Sequence, residues 1–397
     1  MRILIAHEAL AGGGGVETYL ETVIPALRAR GHDVAFVHYN RRSAAGPTRL
    51  EFDSIPSFGV EDAGLSQVIG EIRRWAPDVC FSHNMRPLDV DEALLQEWPV
   101  VKMMHGYFGT CISGQKCHAS PQASACERSF GAACLVLYGP RRCGHLRPLR
   151  MLNDYRWNVR QRTLFDRYAA VVVASAHMAD EYQRSGLAAD RVTAIPLFSP
   201  WTVSGARMDT TVPTVLFAGR ITVLKGARLL ADAVAEAQTR LNAPLRLIVA
   251  GEGPERAALE KRTKALNLEA SFTGWVTGSE RLALFRRSSV LAIPSVWPEP
   301  FGLVGLEAAS VGVPTVAFDV GGIWEWLRDG FNGRLVNPEG GAPAFGAALA
   351  GVLADSRTLA SLSAGAVARA RDLTVARHVT RIEPILARAA GTAAALA

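Results

Sequence analysis

The chain of 397 residues contains no apolar run approaching the ~18 residues that a membrane-crossing helix needs, so the sequence excludes a helical membrane protein. It also lacks the pattern of a secretory leader. The apolar stretch after Met1 ends at Ala6 and meets His7, Glu8 and a glycine loop. Six cysteines are present but none form a CxxC pair, which argues against a zinc ribbon. Low-complexity tracts are missing too, and 49% hydrophobic with 20% charged residues is the balance of folded domains. No recognised nucleic-acid motif accompanies the basic residues, so nucleic acid is not an expected partner. What remains is a cytoplasmic globular protein of about two or three domains.

Charge is scarce in another sense: almost all of its imbalance sits in one place. Between Arg141 and Arg167 there are eight arginines and two aspartates, a surplus of six that equals the formal +6 of the whole chain. Such a segment suits an anionic surface on the inner face of the cell membrane, or a lipid-diphosphate acceptor. A solvated helix face explains it equally well.

Apolar runs and helical patterns alternate along the chain. Strands are expected at 2–6, 33–39, 79–82, 100–104, 170–174 and 192–195, with helices at 16–30 and 65–75 between them. Residues 199–213 have no periodicity and read as a linker. A second series follows, with strands at 214–218, 245–250, 270–273, 290–293 and 315–318 and helices starting near Gly226, Pro254, Ser279 and Gly302. The pattern predicts an α/β protein with two doubly wound sheets, in domains 1–200 and 201–374, and a last helix within 375–397.

The most informative stretch is 294–314, PSVWPEPFGLVGLEAASVGVP. Glu299 lies in a tight turn before Pro300, where the pre-proline restriction keeps its backbone out of helix. From Leu303 the spacing is helical, which puts Glu307 in the second turn of a helix. Two acceptors beside a helix N-terminus can hold the hydroxyls of a sugar and a ribose next to a phosphate. Arg220 and Lys225, in AGRITVLKG (218–226), follow a strand at the carboxyl edge, where open α/β sheets bind ligands. Gly251 and Glu252 occupy the next strand-to-helix turn. Gly12–Gly15 follow the first strand and precede a helix, as in a dinucleotide fold. That rival expects an acid at the end of the second strand, and here the strand ends in His38-Tyr39-Asn40.

These motifs resemble the retaining glycosyltransferases of family 4 (glycosyl transferases group 1), from the N-terminal glycine loop to the closing helix and most tightly between Gly219 and Gly333. The resemblance implies the GT-B fold, two Rossmann-like domains facing across a cleft, with the last helix returning to the first domain. It implies hexose transfer from a nucleoside-diphosphate sugar to a glycan or glycolipid, such as a lipid-linked or cell-surface polysaccharide precursor. Glu299 would hold the hexose hydroxyls and Glu307 the ribose, while Arg220 and Lys225 hold the diphosphate. Gly251 and Glu252 would border the base, and Phe301, Gly302 and Leu303 would complete the donor side. Gly13, Gly14, Gly15 and His105 would close the cleft from the other wall, with His105 beside the transferred sugar. Transfer is front-face in that family: the leaving phosphate takes the acceptor's proton, so no carboxylate nucleophile, cofactor or catalytic metal is implied. Other activities on the same fold, a nucleotide-sugar epimerase or a phosphorylase, are the alternatives within enzymes, and a non-catalytic partner subunit is the alternative outside them.

Two features fall outside that pattern. Asp89-Val90-Asp91 looks like the metal-binding Asp-x-Asp of a different glycosyltransferase fold, but its place at a helix start favours capping. Cys80 lies in an apolar strand and reads as a buried thiol. Cys111, Cys117, Cys126, Cys134 and Cys143, with His118 and His145, crowd an insertion at about 106–167 that is expected to shape the acceptor side. Their odd number and uneven spacing point to free thiols packing a loop, with a structural zinc site as the second reading. The membrane reading of the arginines predicts that the purified protein co-sediments with vesicles containing anionic lipid and that an Arg→Ser series in 141–167 releases it. Binding unchanged across that series removes the reading.

Overall fold

The computed structural model of the chain describes residues 1–9, 14–40, 55–144, 147–205 and 207–391. Its first sheet has seven parallel strands: β1 (Arg2–Ala9), β2 (Asp33–Asn40), β3 (Ser57–Gly59), β4 (Val79–Ser82), β5 (Val100–Met104), β6 (Ala170–Val173) and β7 (Val192–Ala194). They lie in the order β3-β2-β1-β4-β5-β6-β7. Helices α1 (Gly15–Ala29), α2 (Leu65–Trp75), α3 (Leu88–Glu97), α4 (Pro148–Thr163) and α5 (Ala176–Arg184) belong to this half, with short helices at Val60–Ala63 and Ala133–Leu137 and a small antiparallel pair, Cys117–His118 with Ser124–Ala125. The strands read as near-continuous apolar runs because both faces of the sheet are covered; Ile3, Leu4, Ile5 and Ala6 are all fully buried.

The second sheet has six parallel strands: β8 (Thr214–Ala218), β9 (Arg246–Ala250), β10 (Glu269–Gly274), β11 (Val290–Ile293), β12 (Thr315–Phe318) and β13 (Gly333–Val336), in the order β10-β9-β8-β11-β12-β13. Around it lie α6 (Ala227–Leu241), α7 (Arg256–Ala265), α8 (Gly278–Arg286), α9 (Leu303–Ser310), α10 (Gly341–Leu353) and α11 (Ser356–Asp372). In both sheets the strand order reverses beside the first strand of the domain. That switch point opens a crevice at the carboxyl edge, and the two crevices carry the residues of interest. The α/β class with two doubly wound domains is therefore the observed architecture.

The closing helix α12 (Val375–Ala389) packs on the first domain, not the second. Val379, Ile382 and Leu386, at helical spacing, join α1 and the first sheet in one buried cluster. Two polar latches fix its register. His378 Nε2 meets Tyr19 OH at 2.9 Å while its Nδ1 donates to Pro196 O at 2.8 Å, and Glu383 pairs with Arg30 and with His32 at 2.8 Å.

Several elements depart from the expected alternation. β3 (SFG) and β13 (GRLV) lack the continuous apolar run that marks the other strands, and the expected pattern stopped before α10 and α11. The capping explanation of Asp89 and Asp91 is also corrected. No side chain caps α3; Asp89 pairs with Arg160, and the fully buried Asp91 accepts from Lys102 Nζ (2.6 Å), Ser82 Oγ (2.6 Å) and Tyr168 OH (3.0 Å).

Two glycines are required by close approach. A Cβ on Gly226, at φ +77°, would lie 1.9 Å from Pro294 O, so this residue lets the loop after β8 lean on the segment after β11. On α9, a Cβ at Gly305 would lie 1.9 Å from the ring of the fully buried Trp326. Gly305→Ala should lower unfolding free energy by about 1–3 kcal/mol through overpacking. Gly351→Ala, on the exposed face of α10 with open space around it, should be neutral or add up to about 1 kcal/mol. Chemical denaturation of the two variants checks the contrast.

Candidate active site

The turn after β11 is held from both domains. Tyr107 OH donates to Pro298 O at 2.8 Å, and Ser175 Oγ donates to Pro300 O at 2.7 Å; both donors belong to the first domain. From the second domain, Gly322 N donates to Glu299 O at 2.7 Å. Pro298 and Pro300 leave few alternative conformations, and Gly302 at φ +85° starts α9. The Glu299 carboxylate, 4% exposed, therefore has a fixed position. It accepts from Ser295 Oγ at 2.6 Å and from Lys225 Nζ at 2.6 Å. Lys225 also lies over the Trp297 ring, 4.6 Å from its centroid.

Glu299 and Lys225, expected to hold the sugar and the phosphate separately, are thus partners of each other. A buried carboxylate without a counterion is costly, and this pairing removes the cost. Lys225 reaches it from a turn whose Thr222 hydroxyl accepts from Lys225 N at 3.4 Å. Arg220, in the same loop, is exposed and forms no ion pair among the described residues. Gly251 and Glu252 stand next to it, since Gly219 N donates to Ala250 O at 2.9 Å and Ile221 N to Glu252 O at 2.9 Å. The Glu252 carboxylate itself pairs with Arg256.

Glu307 sits on α9, 2% exposed, and its carboxylate is held by Arg281 of α8. Burial pushes its pKa up to about 7 even though the Arg281 guanidinium pulls it down. Phe301 has its ring in the core, 1% exposed, and its carbonyl accepts from Trp326 Nε1. It can shape the donor side only through its backbone. Leu303 faces Thr18, Tyr19 and Phe198 across a narrow gap between the domains.

On the opposite wall, His105 follows β5. Its Nε2 lies 3.0 Å from His83 Nδ1, and its ring meets Tyr19 edge-on at 5.4 Å. Burial pushes its pKa down to about 3, so the imidazole is neutral near pH 7. Two residues on, Tyr107 makes the bond to Pro298 already described, which ties the His105 turn to the Glu299 turn. Gly14 N donates to Glu17 Oε2 at 3.0 Å, and Gly15 opens α1. Gly13 lies outside the described residues, as does His145.

The cysteines of the insertion are all free, with Cys111, Cys117 and Cys143 buried. Cys143 Sγ lies 3.5 Å from His118 Nδ1, and Lys116 N donates to Cys111 Sγ at 3.4 Å. Burial raises the Cys143 thiol to about 12, which keeps it protonated at neutral pH. Among the described residues no group of three or more His, Cys, Asp or Glu is placed to hold a metal ion, so the zinc reading finds no support there.

Four site residues were not foreseen: Ser295, Tyr107, Ser175 and Arg281. Ser295 lay within the quoted motif, four residues before Glu299, the one recognisable signal. Arg281 is 26 residues from Glu307, and nothing in local sequence links them.

Residues 205–369 match the family model of glycosyl transferases group 1, and residues 13–198 match that of glycosyltransferase family 4. An uncharacterized glycosyltransferase of Methanocaldococcus jannaschii is 39% identical over 127 residues, 32% of each chain. A D-inositol 3-phosphate glycosyltransferase of Acidothermus cellulolyticus is 34% identical over 205 residues, 47% of this chain and 45% of the relative. The chain thus spans less than half the length of these curated relatives. Among solved structures, Anabaena HepE in complex with UDP and glucose superposes with a TM-score of 0.71 at 21% identity, covering 98% of this chain and 100% of that one. The lipopolysaccharide outer core galactosyltransferase WaaB gives 0.66 at 16% identity, over 97% and 99%. At such identities the likeness shows the fold, and the fold is GT-B.

Glu307 generates a pH dependence with a defined sign. Its folded pKa of about 7 exceeds the usual 4.5, so between these values the folded state holds more protons than the unfolded one. Its contribution to stability must then fall as pH rises from about 4.5 to 7, by at most ~1.4 kcal/mol per pH unit. Denaturation of Glu307→Gln should show that slope removed relative to the unaltered protein. An identical pH profile in both contradicts the assignment.

Proposed function

We propose, taking as premise a chain of GT-B fold whose two halves each match a glycosyltransferase family model, that it transfers a hexose from a nucleoside-diphosphate sugar with retention of anomeric configuration. The observation that carries this reading is the Lys225–Glu299 pair at the end of the second sheet, 2.6 Å apart, with the carboxylate buried and the lysine partly exposed. A sugar donor satisfies both partners. Hexose hydroxyls donate to the Glu299 carboxylate, and the diphosphate replaces that carboxylate as the counterion of Lys225. Arg220, in the same loop and without an ion pair among the described residues, is available to the second phosphate.

The chemistry follows from charge. As the bond from the anomeric carbon to the diphosphate oxygen breaks, negative charge grows on the leaving group. Lys225 and Arg220 stabilise that charge at fixed positions. The acceptor oxygen forms its bond to the same face of the anomeric carbon, and its proton passes to the departing phosphate oxygen. Glu307 takes the ribose hydroxyls once Arg281 shares it. His105, neutral, serves as a hydrogen-bonding wall for the sugar rather than as a cation.

HepE has been crystallised with UDP and with UDP-glucose, which makes UDP-glucose the first donor to test. For the acceptor, we favour a lipid-linked or cell-surface polysaccharide precursor met at an anionic membrane surface. No described helix is long and apolar enough to cross a membrane. Arg141, Arg142, Arg147, Arg150 and Arg156 are exposed without ion pairs among the described residues, and Leu149, 80% exposed, stands among them. Arg160 and Arg162 instead make internal contacts.

UDP-, GDP- and ADP-sugars should be separated by thermal shift, since a bound donor raises the melting temperature by mass action. With the donor so identified, Glu299→Gln and Lys225→Ala should each lower kcat/KM at least ~100-fold. Near-normal transfer by both variants, with far-ultraviolet circular dichroism unchanged, overturns the site.

A further inference from the structure

Trp297 joins three parts of the molecule: the Lys225 cation, the loop that bears it, and the first domain. Its ring lies beneath the Lys225 ammonium, with Nζ 4.6 Å from the ring centroid. Its backbone N donates to Leu224 O at 3.1 Å, which ties the ring to the residue preceding Lys225. Its indole Nε1, a donor only, donates across the domain boundary to Gln115 O. Gln115 belongs to the cysteine-bearing insertion of the first domain, so this bond brings the insertion to the turn that carries Glu299. Nothing in the charge balance of the Lys225–Glu299 pair requires a tryptophan there.

Gln115 O is a fixed acceptor because both of its neighbours are anchored. Gly114 O accepts from Tyr107 N at 3.4 Å, and Lys116 N donates to Cys111 Sγ at 3.4 Å. The Lys116 ammonium, itself buried, is paired with Glu181 at 2.7 Å. Cys126 N donates to Lys116 O at 2.8 Å, which closes the loop on itself. Two of the insertion's cysteines thus belong to the frame that presents the carbonyl to Trp297.

A lysine in this position needs a support of that kind. Its ammonium sits on a flexible four-carbon stem and loses rotamer freedom when held in one place. Glu299 holds it in the structure, but a sugar donor takes that carboxylate with its hydroxyls and leaves the ammonium to the diphosphate. An aromatic face attracts the cation without using its N–H groups, and does so more strongly where water is largely excluded. The Lys225 side chain is only 23% exposed. We propose that Trp297 is a positioning residue that keeps Lys225 in place while its N–H groups pass from Glu299 to the diphosphate, and that the insertion fixes the Trp297 ring through Gln115 O. The catalytic half of this inference rests on the donor reading given above; the contact between ring and cation does not. The insertion, expected to shape the acceptor side, serves the donor side through this bond.

Calorimetric titration of the full chain with UDP, GDP or ADP, whichever binds most tightly, tests it. Trp297→Leu should weaken binding of the nucleoside diphosphate about tenfold, and Trp297→Phe, which keeps an aromatic face, should recover part of that loss. Incorporation of 3-benzothienylalanine in place of Trp297 keeps the ring size and removes only the N–H bond to Gln115; it should cost about threefold. In a Lys225→Ala background, Trp297→Leu should change affinity less than about twofold, because a ring that acts through the ammonium has nothing left to position. A purely structural role would instead weaken binding in both backgrounds. Losses that multiply, equal losses in Trp297→Phe and Trp297→Leu, or full affinity with the benzothiophene overturn the proposal. Should Trp297→Leu fail to fold, Trp297→Phe in the two backgrounds carries the same comparison. Failure of all three nucleotides to bind the unaltered protein refutes the donor reading instead. The contact is then judged without ligand, by isotope labelling of the five lysines for nuclear magnetic resonance. The ε-methylene protons of Lys225, identified by their loss in Lys225→Arg, should be shifted upfield by the indole ring current and lose that shift in Trp297→Leu. A resonance that Trp297→Leu leaves in place overturns the proposal.

Discussion

One buried ion pair organises the cleft. Glu299 is removed from water by a turn that both domains clamp, and a carboxylate in that position demands a cation. Lys225 supplies it across 74 residues of sequence. The loop bearing Lys225 can approach only because Gly226 has no side chain to strike Pro294. Gly302 and Gly305 then allow α9 to start at once and pack against Trp326, which fixes Glu307 on the same helix. Remove either partner alone, and the other is left without its counter-charge where the turn, the loop and the helix meet.

The same turn couples the domains. Tyr107 and Ser175 bond to the carbonyls on either side of Glu299, while Glu325 of the second domain accepts from Ala176 N at the start of α5, at 2.6 Å. The last helix crosses back and buries Val379, Ile382 and Leu386 against the first sheet. Polar bonds at the turn and the apolar seam of α12 together join the two domains.

Much of this was legible in the sequence, for physical reasons. Strands such as 79–82, 100–104, 290–293 and 315–318 are short, apolar and bounded by turn residues, because parallel strands are buried on both faces. The turn around Glu299 was legible because proline and glycine restrict the backbone locally. What could not be read was anything that depends on long-range pairing. The Arg281–Glu307 contact, the partnership of Lys225 with Glu299, and the role of Asp91 as acceptor for a buried lysine all join segments that are unrelated in sequence. The arginine surplus showed the same limit. Composition counted eight arginines, but only the fold shows that Arg160 pairs with Asp89 and Glu92 and that Arg162 bonds to backbone carbonyls.

The central claim is that Lys225 and Glu299 act on the donor as a unit. A double-mutant cycle on kcat/KM, using Lys225→Ala, Glu299→Gln and the double variant with the donor selected by thermal shift, measures that most directly. The account predicts strong non-additivity, with the double variant no slower than the slower single variant. Losses that simply multiply would mean that the two residues serve separate steps, and would contradict it.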